Sequence, residues 1–196
     1  NSEIKELIQG KIKDIQKVKK SRVDALKGSI AAEAVEDLDE DTKKLVRDVT
    51  DAQLKKHGKI SVPTVLVIDK SASMGEAINL GKQLGAAIAQ AAGENFAGCY
   101  LFDYNPIRVR WTKADGDMGS FSAWNKKLAM HCCGGATNLG SVLRSMINEN
   151  VRAEQIVIIT DEGENGHPRF HELLPEYKAK FGMIPDIVII RMGQDV

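Results

Sequence analysis

Two hydrophobic rhythms divide the chain. Up to about residue 60 the apolar positions fall at helical spacings: Ile4, Ile8, Ile12 and Ile15 form one series, and Val23, Leu26 and Ile30 a second. Each stretch reads as a helix with one apolar stripe that could face a partner surface. A third helix is expected over residues 41–56. From Val62 onward short apolar runs alternate with helical stretches, the signature of an open α/β sheet built from crossover units. Strands are predicted at residues 62–69, 96–102, 107–111, 155–160 and 186–191, and helices at 76–92, 120–130, 139–150 and 168–181.

The quality of each run predicts its place in the sheet. Val65-Leu66-Val67-Ile68, Ile156-Val157-Ile158-Ile159 and Ile187-Val188-Ile189-Ile190 are continuously apolar rather than alternating. Strands covered by helices on both faces need that composition, so these three are expected to be central and parallel. The second and third strands flank Asp103-Tyr104-Asn105-Pro106, a cluster of turn formers, and are expected to make a hairpin with an antiparallel edge. The fold class is therefore a doubly wound, mainly parallel open sheet with helices on both faces, over residues 61–196, preceded by an N-terminal helical arm over residues 1–60. A doubly wound domain would add a covering helix after its last strand, and Gly193-Gln194-Asp195-Val196 follows instead, so the domain is expected to be truncated at its C-terminus.

Composition narrows the function classes. With 196 residues and 43% hydrophobic content the chain can bury one ordinary core and carry a smaller appendage. Lys plus Arg and Asp plus Glu both number 27, so the zero formal charge offers no whole-chain attraction to nucleic acid or an anionic membrane. The apolar runs are far shorter than the roughly 20 residues of a membrane span, and a soluble, cytoplasmic protein is expected. Charge is uneven only in the arm. Lys11, Lys13, Lys17, Lys19, Lys20 and Arg22 cluster there, followed by the acidic stretch Glu33, Glu36, Asp37, Asp39, Glu40 and Asp41. The basic cluster could contact RNA phosphates, but no aromatic residue is interleaved to stack on bases, and a solvated helix face is the simpler reading. Three cysteines, two of them adjacent at Cys132-Cys133, do not make a disulfide framework.

The densest chemistry follows the first strand. Asp69, Ser71 and Ser73 stand at alternate positions just after an apolar strand and just before a helix. In open α/β sheets ligands bind at the carboxyl ends of strands. One carboxylate and two hydroxyls turned to a common point offer hard oxygen ligands suited to Mg²⁺, Mn²⁺ or Ca²⁺ and unsuited to zinc. Later in the chain Gly134-Gly135-Ala136-Thr137 and Thr160-Asp161 occupy a glycine-rich loop and a strand end.

Together these three segments resemble the metal-ion-dependent adhesion site of von Willebrand factor A domains, over about residues 60–196. The resemblance implies a Mg²⁺ site in which Ser71, Ser73 and Thr137 coordinate directly and Asp69 and Asp161 act through waters. It also implies a protein partner that supplies Glu or Asp to the ion, with an RNA phosphate as the lesser candidate. Within that family, residues 69–74, the Gly-Gly-x-Thr loop and the Tyr177-Lys178-x-Lys180…Pro185 approach to the last strand are most similar to the A domain of Ro ribonucleoproteins. Those proteins pair the A domain with a ring of helical repeats that binds small structured RNAs, and this chain is too short to contain such a ring. The expectation is a binding module rather than an enzyme. Alternatives are an adaptor in an RNA-associated complex that works through the basic arm, or a metal-dependent phosphohydrolase, which would need a base and a nucleophile that the sequence does not display.

Plainer roles compete at each position. Ser73 could cap a helix, and Thr137 could be the N-cap before Asn138. Glu162 and Glu164 read as solvated loop charges. Asp103 could sit near the cleft, with a turn role alongside Asn105-Pro106 favoured. Cys132 and Cys133 read as buried small residues, and Trp111 and Trp124 as packing residues. His167 and His171 have the four-residue spacing of paired helical ligands, but Pro168 is expected in the first helical turn, which leaves His167 outside the shared face.

Overall fold

The computed structural model describes residues 59–192, except 76, 118 and 119, together with Asp41, Lys44, Asp48, Asp51 and Ala52. The chain divides into two units, Asn1–Gly58 and Lys59–Val196. In the first, the five described residues are helical, within the third helix expected from the sequence. The apolar stripes and the basic and acidic runs of residues 1–40 lie outside the described residues.

The second unit is a five-stranded sheet in the order β3-β2-β1-β4-β5. Its strands are β1 (Thr64–Asp69), β2 (Phe96–Phe102), β3 (Pro106–Val109), β4 (Gln155–Thr160) and β5 (Asp186–Arg191). All neighbours are parallel except the β2/β3 hairpin, where Leu101 faces Ile107 and Cys99 faces Val109. The helices are α1 (Ala77–Ala92), α2 (Phe121–Ala129), α3 (Leu139–Asn148) and α4 (Phe170–Phe181). Thus the antiparallel edge forms where turn residues separate two short strands, and parallel pairing forms wherever a helix intervenes.

Alternation along β1 sends side chains to two cores. Val65 and Val67 join Tyr100, Phe102, Ile156 and Ile158 in a buried cluster beneath α3 and α4. On the other face, Leu66 and Ile68 meet α1, where a Cβ on Gly85 would come within 2.6 Å of Ile68 Cδ1. That glycine lets α1 lie close against the strand. Trp124 of α2 is buried and packs against Trp111 in a tilted contact and Phe96 edge to face, with ring centroids 4.4 and 4.8 Å apart, as expected of packing residues. The buried Tyr177 fastens α4 to the entrance of β4: its hydroxyl accepts the Ala153 amide at 2.8 Å and donates to the Ala153 carbonyl at 3.2 Å.

Two expectations change. The third continuously apolar run, β5, is an edge strand rather than a central one, and Ile187, Val188 and Ile189 are 37–52% exposed. Composition reports that a strand can be covered on both faces, whereas its place depends on which neighbours pair with it; β4 is its described partner. Second, Pro168 lies before α4 rather than inside its first turn, and Arg169 is the N-cap. Among the described residues no helix is long and apolar enough to cross a membrane.

The loops at the carboxyl end of the sheet are drawn together by two close approaches. A Cβ on Gly140, in the first turn of α3, would lie 1.9 Å from the Pro168 carbonyl oxygen, and one on Gly166 would lie 2.5 Å from Asn138 Cβ. Glu164 closes the same junction. Its Oε1 accepts the amides of Gly140 at 2.9 Å and Phe170 at 3.1 Å, so one carboxylate caps the exposed donors of both α3 and α4. It is half-buried and bonded rather than a solvated loop charge, because two helix N-termini converge on it.

Gly140→Ala is expected to destabilise the domain by at least about 2 kcal/mol, since a backbone oxygen cannot swing aside as a side-chain tip can. Denaturant unfolding measures this. Glu164→Ala is expected to cost about 2 kcal/mol through loss of two charge-assisted caps. A loss below about 0.5 kcal/mol would show that water replaces the carboxylate.

Candidate metal centre

The chain supplies four loops to one end of the sheet. Because β1 lies between β2 and β4, Asp69 is aligned with Phe102 on one side, and Ile68 with Ile159 on the other. The chain continues from β1 toward β2, while β4 arrives on the opposite flank, so this end of β1 is the topological switch point where open sheets bind ligands.

Asp69 is fully buried there. Its Oδ1 accepts the Ser71 amide at 2.8 Å, and its Oδ2 accepts the Thr160 hydroxyl at 2.7 Å. The Thr160 hydroxyl in turn accepts the Glu162 amide at 3.0 Å, which ties the end of β4 to the end of β1. Burial pushes the Asp69 carboxyl above the usual carboxylate range; hydrogen bonds from Ser71 and Thr160 offset part of that rise, and the charge of Asp161 adds to it.

Ser71 precedes, and Ser73 lies within, a single 3-10 turn, Ala72–Met74. Ser71 is buried, Ser73 is exposed, and their hydroxyl oxygens lie 3.1 Å apart. Ser71 stands at the N-cap of that turn without a side-chain capping bond, its hydroxyl meeting that of Ser73 instead. The 134–137 loop is bonded directly to this turn: the Gly134 amide donates to the Lys70 carbonyl at 2.8 Å, and the Ala72 amide to the Gly135 carbonyl at 3.2 Å. Gly135 takes the left-handed conformation, φ +79°, with the Asp103 side chain packed against it.

Thr137 is buried at the end of this loop. Its amide donates to Asn165 Oδ1 at 3.1 Å, and its carbonyl accepts the amides of Asn165 and Gly166. It does not cap α3; Asn138 does so, its Oδ1 accepting the Ser141 amide at 3.1 Å. Asp161 is half-buried, and its Oδ1 accepts the Gly163 amide at 3.2 Å. Asp69 closes β1, and Ser71, Ser73, Thr137 and Asp161 stand on loops at the same end of the sheet, with Asp69, Ser71 and Ser73 in one compact group.

Asp103 belongs to this region and also serves the turn. Its Oδ1 accepts the Asn105 amide at 3.0 Å, while its Oδ2 receives the Lys70 ammonium. Burial alone would raise its carboxyl, but the Lys70 hydrogen bond, the Asn105 amide and the Lys70 charge outweigh burial and hold it below the usual range. Sequence spacing could not reveal the pairing, because Lys70 and Asp103 are 33 positions apart and meet only through β1/β2 register.

The cysteine pair is less buried than expected. Cys132 is exposed and Cys133 half-buried, since the loop between α2 and α3 runs along the surface; the Cys133 thiol lies 3.8 Å from the Gly75 carbonyl. Glu162 is exposed, with Arg191 at 3.5 Å. Among the described residues, no three His, Cys, Asp or Glu side chains gather where they could hold an ion. An ion at this end of the sheet would therefore rely on hydroxyl oxygens beside the carboxylates, and the Ser71/Ser73 pair next to Asp69 offers such a donor set.

No family model matches the chain, and no curated protein does. Among solved structures it is similar to the Ro (RSR) protein of Deinococcus radiodurans, at 14% identity and a TM-score of 0.58, over 87% of this chain and 37% of that one. It is also similar to a von Willebrand factor type A structure from Catenulispora acidiphila, at 17% identity and a TM-score of 0.40, over 64% of this chain and 31% of that one. The chain spans well under half the length of either. At such identities the likeness is one of fold alone: a mainly parallel, open α/β sheet shared with the Ro protein.

Proposed function

We propose that the domain is a binding module that engages an acidic group of a protein partner through a divalent cation, Mg²⁺ foremost, held by Asp69, Ser71, Ser73, Thr137 and Asp161. The observation that carries this reading is geometric: at the end of the central strand the buried Asp69 stands two residues before Ser71, whose hydroxyl oxygen lies 3.1 Å from that of Ser73. A cation there would meet two adjacent hydroxyls beside a carboxylate, and the nearby ammonium of Lys70 is committed to Asp103. Both Asp69 oxygens already accept hydrogen bonds from the protein, which suits a carboxylate that acts on the ion through water. A divalent ion held largely by neutral hydroxyls keeps much of its charge and can take a carboxylate at an open position. Mn²⁺ and Ca²⁺ use the same ligand chemistry and are the alternative ions.

Binding is favoured over hydrolysis by the engagement of the neighbouring carboxylates. Asp103 is tied to Lys70 and Glu164 to two helix ends, so neither is poised as a general base beside the site. A second reading, an adaptor in an RNA-associated complex, draws on the basic run Lys11 to Arg22 and on the resemblance to Ro ribonucleoproteins.

Calorimetric titration of Mg²⁺ into EDTA-stripped protein is expected to show saturable binding that is at least about tenfold weaker in Ser73→Ala and absent in Asp69→Ala. Ser73 is exposed, so its variant separates lost ligation from lost folding. Unchanged affinity in both variants would remove the site assignment. Partner capture through the ion should vanish with EDTA and survive moderate salt, whereas RNA binding by the arm should fall steeply between about 50 and 200 mM salt and persist in EDTA.

A further inference from the structure

We propose that the Lys70–Asp103 ion pair is a clasp that holds the 134–138 loop against the 70–73 turn, making both residues positioning residues for the metal centre. The part concerning the ion rests on the function proposed above; the part concerning the loop does not.

The two residues meet at the point where three loops cross, and each uses its backbone as well as its side chain. The Lys70 amide donates to the Phe102 carbonyl at 2.7 Å, and the Lys70 carbonyl accepts the Gly134 amide at 2.8 Å. The Asp103 carbonyl accepts the Asn138 amide at 2.8 Å, next to Thr137. Gly135 packs on the Asp103 side chain so closely that a Cβ would lie 3.2 Å from its Cγ. The ion pair therefore joins the backbone that receives the start of the 134–138 loop to the backbone that receives its end. Both side chains are shielded, 10% and 20% exposed, so the pair is better placed to hold a fixed geometry than a solvated surface pair. Asp103 also orders the turn at Asn105, next to the exposed Tyr104 in the chain.

Charge alone makes a different forecast from positioning. Removing Asp103 would leave a bare ammonium near the cation and weaken binding, but removing Lys70 would leave an extra carboxylate and strengthen it. A clasp forecasts weakening in both cases. In double-mutant terms the partners act as one unit, so their losses should not add.

The test uses the full chain stripped with EDTA, carrying Lys70→Met, Asp103→Asn, or both, with Asp115→Asn as a control that breaks the ion pair to Lys127 on another loop. Amide hydrogen exchange without metal is expected to accelerate at Gly134 and Asn138 in the three clasp variants and not in the control. Mg²⁺ affinity is expected to fall about tenfold or more in each single variant, and no further in the double variant. Tighter Mg²⁺ binding by Lys70→Met, or exchange at Gly134 and Asn138 equal to wild type, would overturn the clasp. Faster exchange in the variants together with no Mg²⁺ binding by the wild type would support the clasp and overturn the metal reading instead.

Discussion

The buried carboxylate of Asp69 is the constraint around which this end of the molecule is arranged. A carboxylate at the end of a central strand, with helices over both faces of the sheet, must have its oxygens satisfied from within. Ser71 and Thr160 do so from the two segments that flank it, and this fixes the conformation of the turn after β1 and the relation of β1 to the end of β4. The same burial that imposes these bonds holds the Asp69 carboxyl above its usual range, with Asp161 contributing in the same direction. Structure and electrostatics thus pull apart at one atom group. The hydrogen bonds fix the geometry of this end of the sheet, and burial works against the charge they hold.

The supporting loops are positioned by backbone proximity more than by side-chain packing. Gly140 and Gly166 allow the 137–140 and 165–169 segments to approach at distances no Cβ would permit. The approach brings the α3 and α4 N-termini to Glu164, and brings Thr137 into its bonds with Asn165 and Gly166. Glycine in a helix turn ordinarily costs about 1 kcal/mol relative to alanine. At Gly140 the contact it permits outweighs that intrinsic penalty, because the alternative is a clash with backbone.

Local pattern made the fold legible, and long-range pairing was where it stopped. The continuous apolar runs of β1 and β4 and the turn formers between β2 and β3 report solvent exposure and chain reversal, both local properties, and they placed the strands to within a few residues. The position of β5 at the edge depends on which elements pair beside it, a fact that no periodicity within Ile187–Ile190 encodes. The same division holds at the site. Asp69, Ser71 and Ser73 are close in sequence and were visible as a group, whereas the role of Asp103 emerges only when β1 and β2 lie in register and bring Lys70 to it. The role of Glu164 is hidden in the sequence for a similar reason, since its partners are helix ends 24 and 6 positions away.

The allotment of acidic groups gives the carboxyl end of the sheet its chemical character. Asp103 is neutralised by Lys70, Glu164 is held by helix amides, and Glu162 lies beside Arg191. Each is committed to a cation or to a helix N-terminus, so little of the acidic charge written in this stretch of sequence would act on a ligand. What remains near Asp69 is Asp161 and a pair of neutral hydroxyls, one of them exposed. A site with more free carboxylates would attract a cation more strongly but would also neutralise it and repel an incoming acid. On the function proposed above, engaging the other acidic residues in structural bonds would leave enough negative charge to attract a divalent ion and too little to cancel it, the balance that recognition of an acidic partner would require.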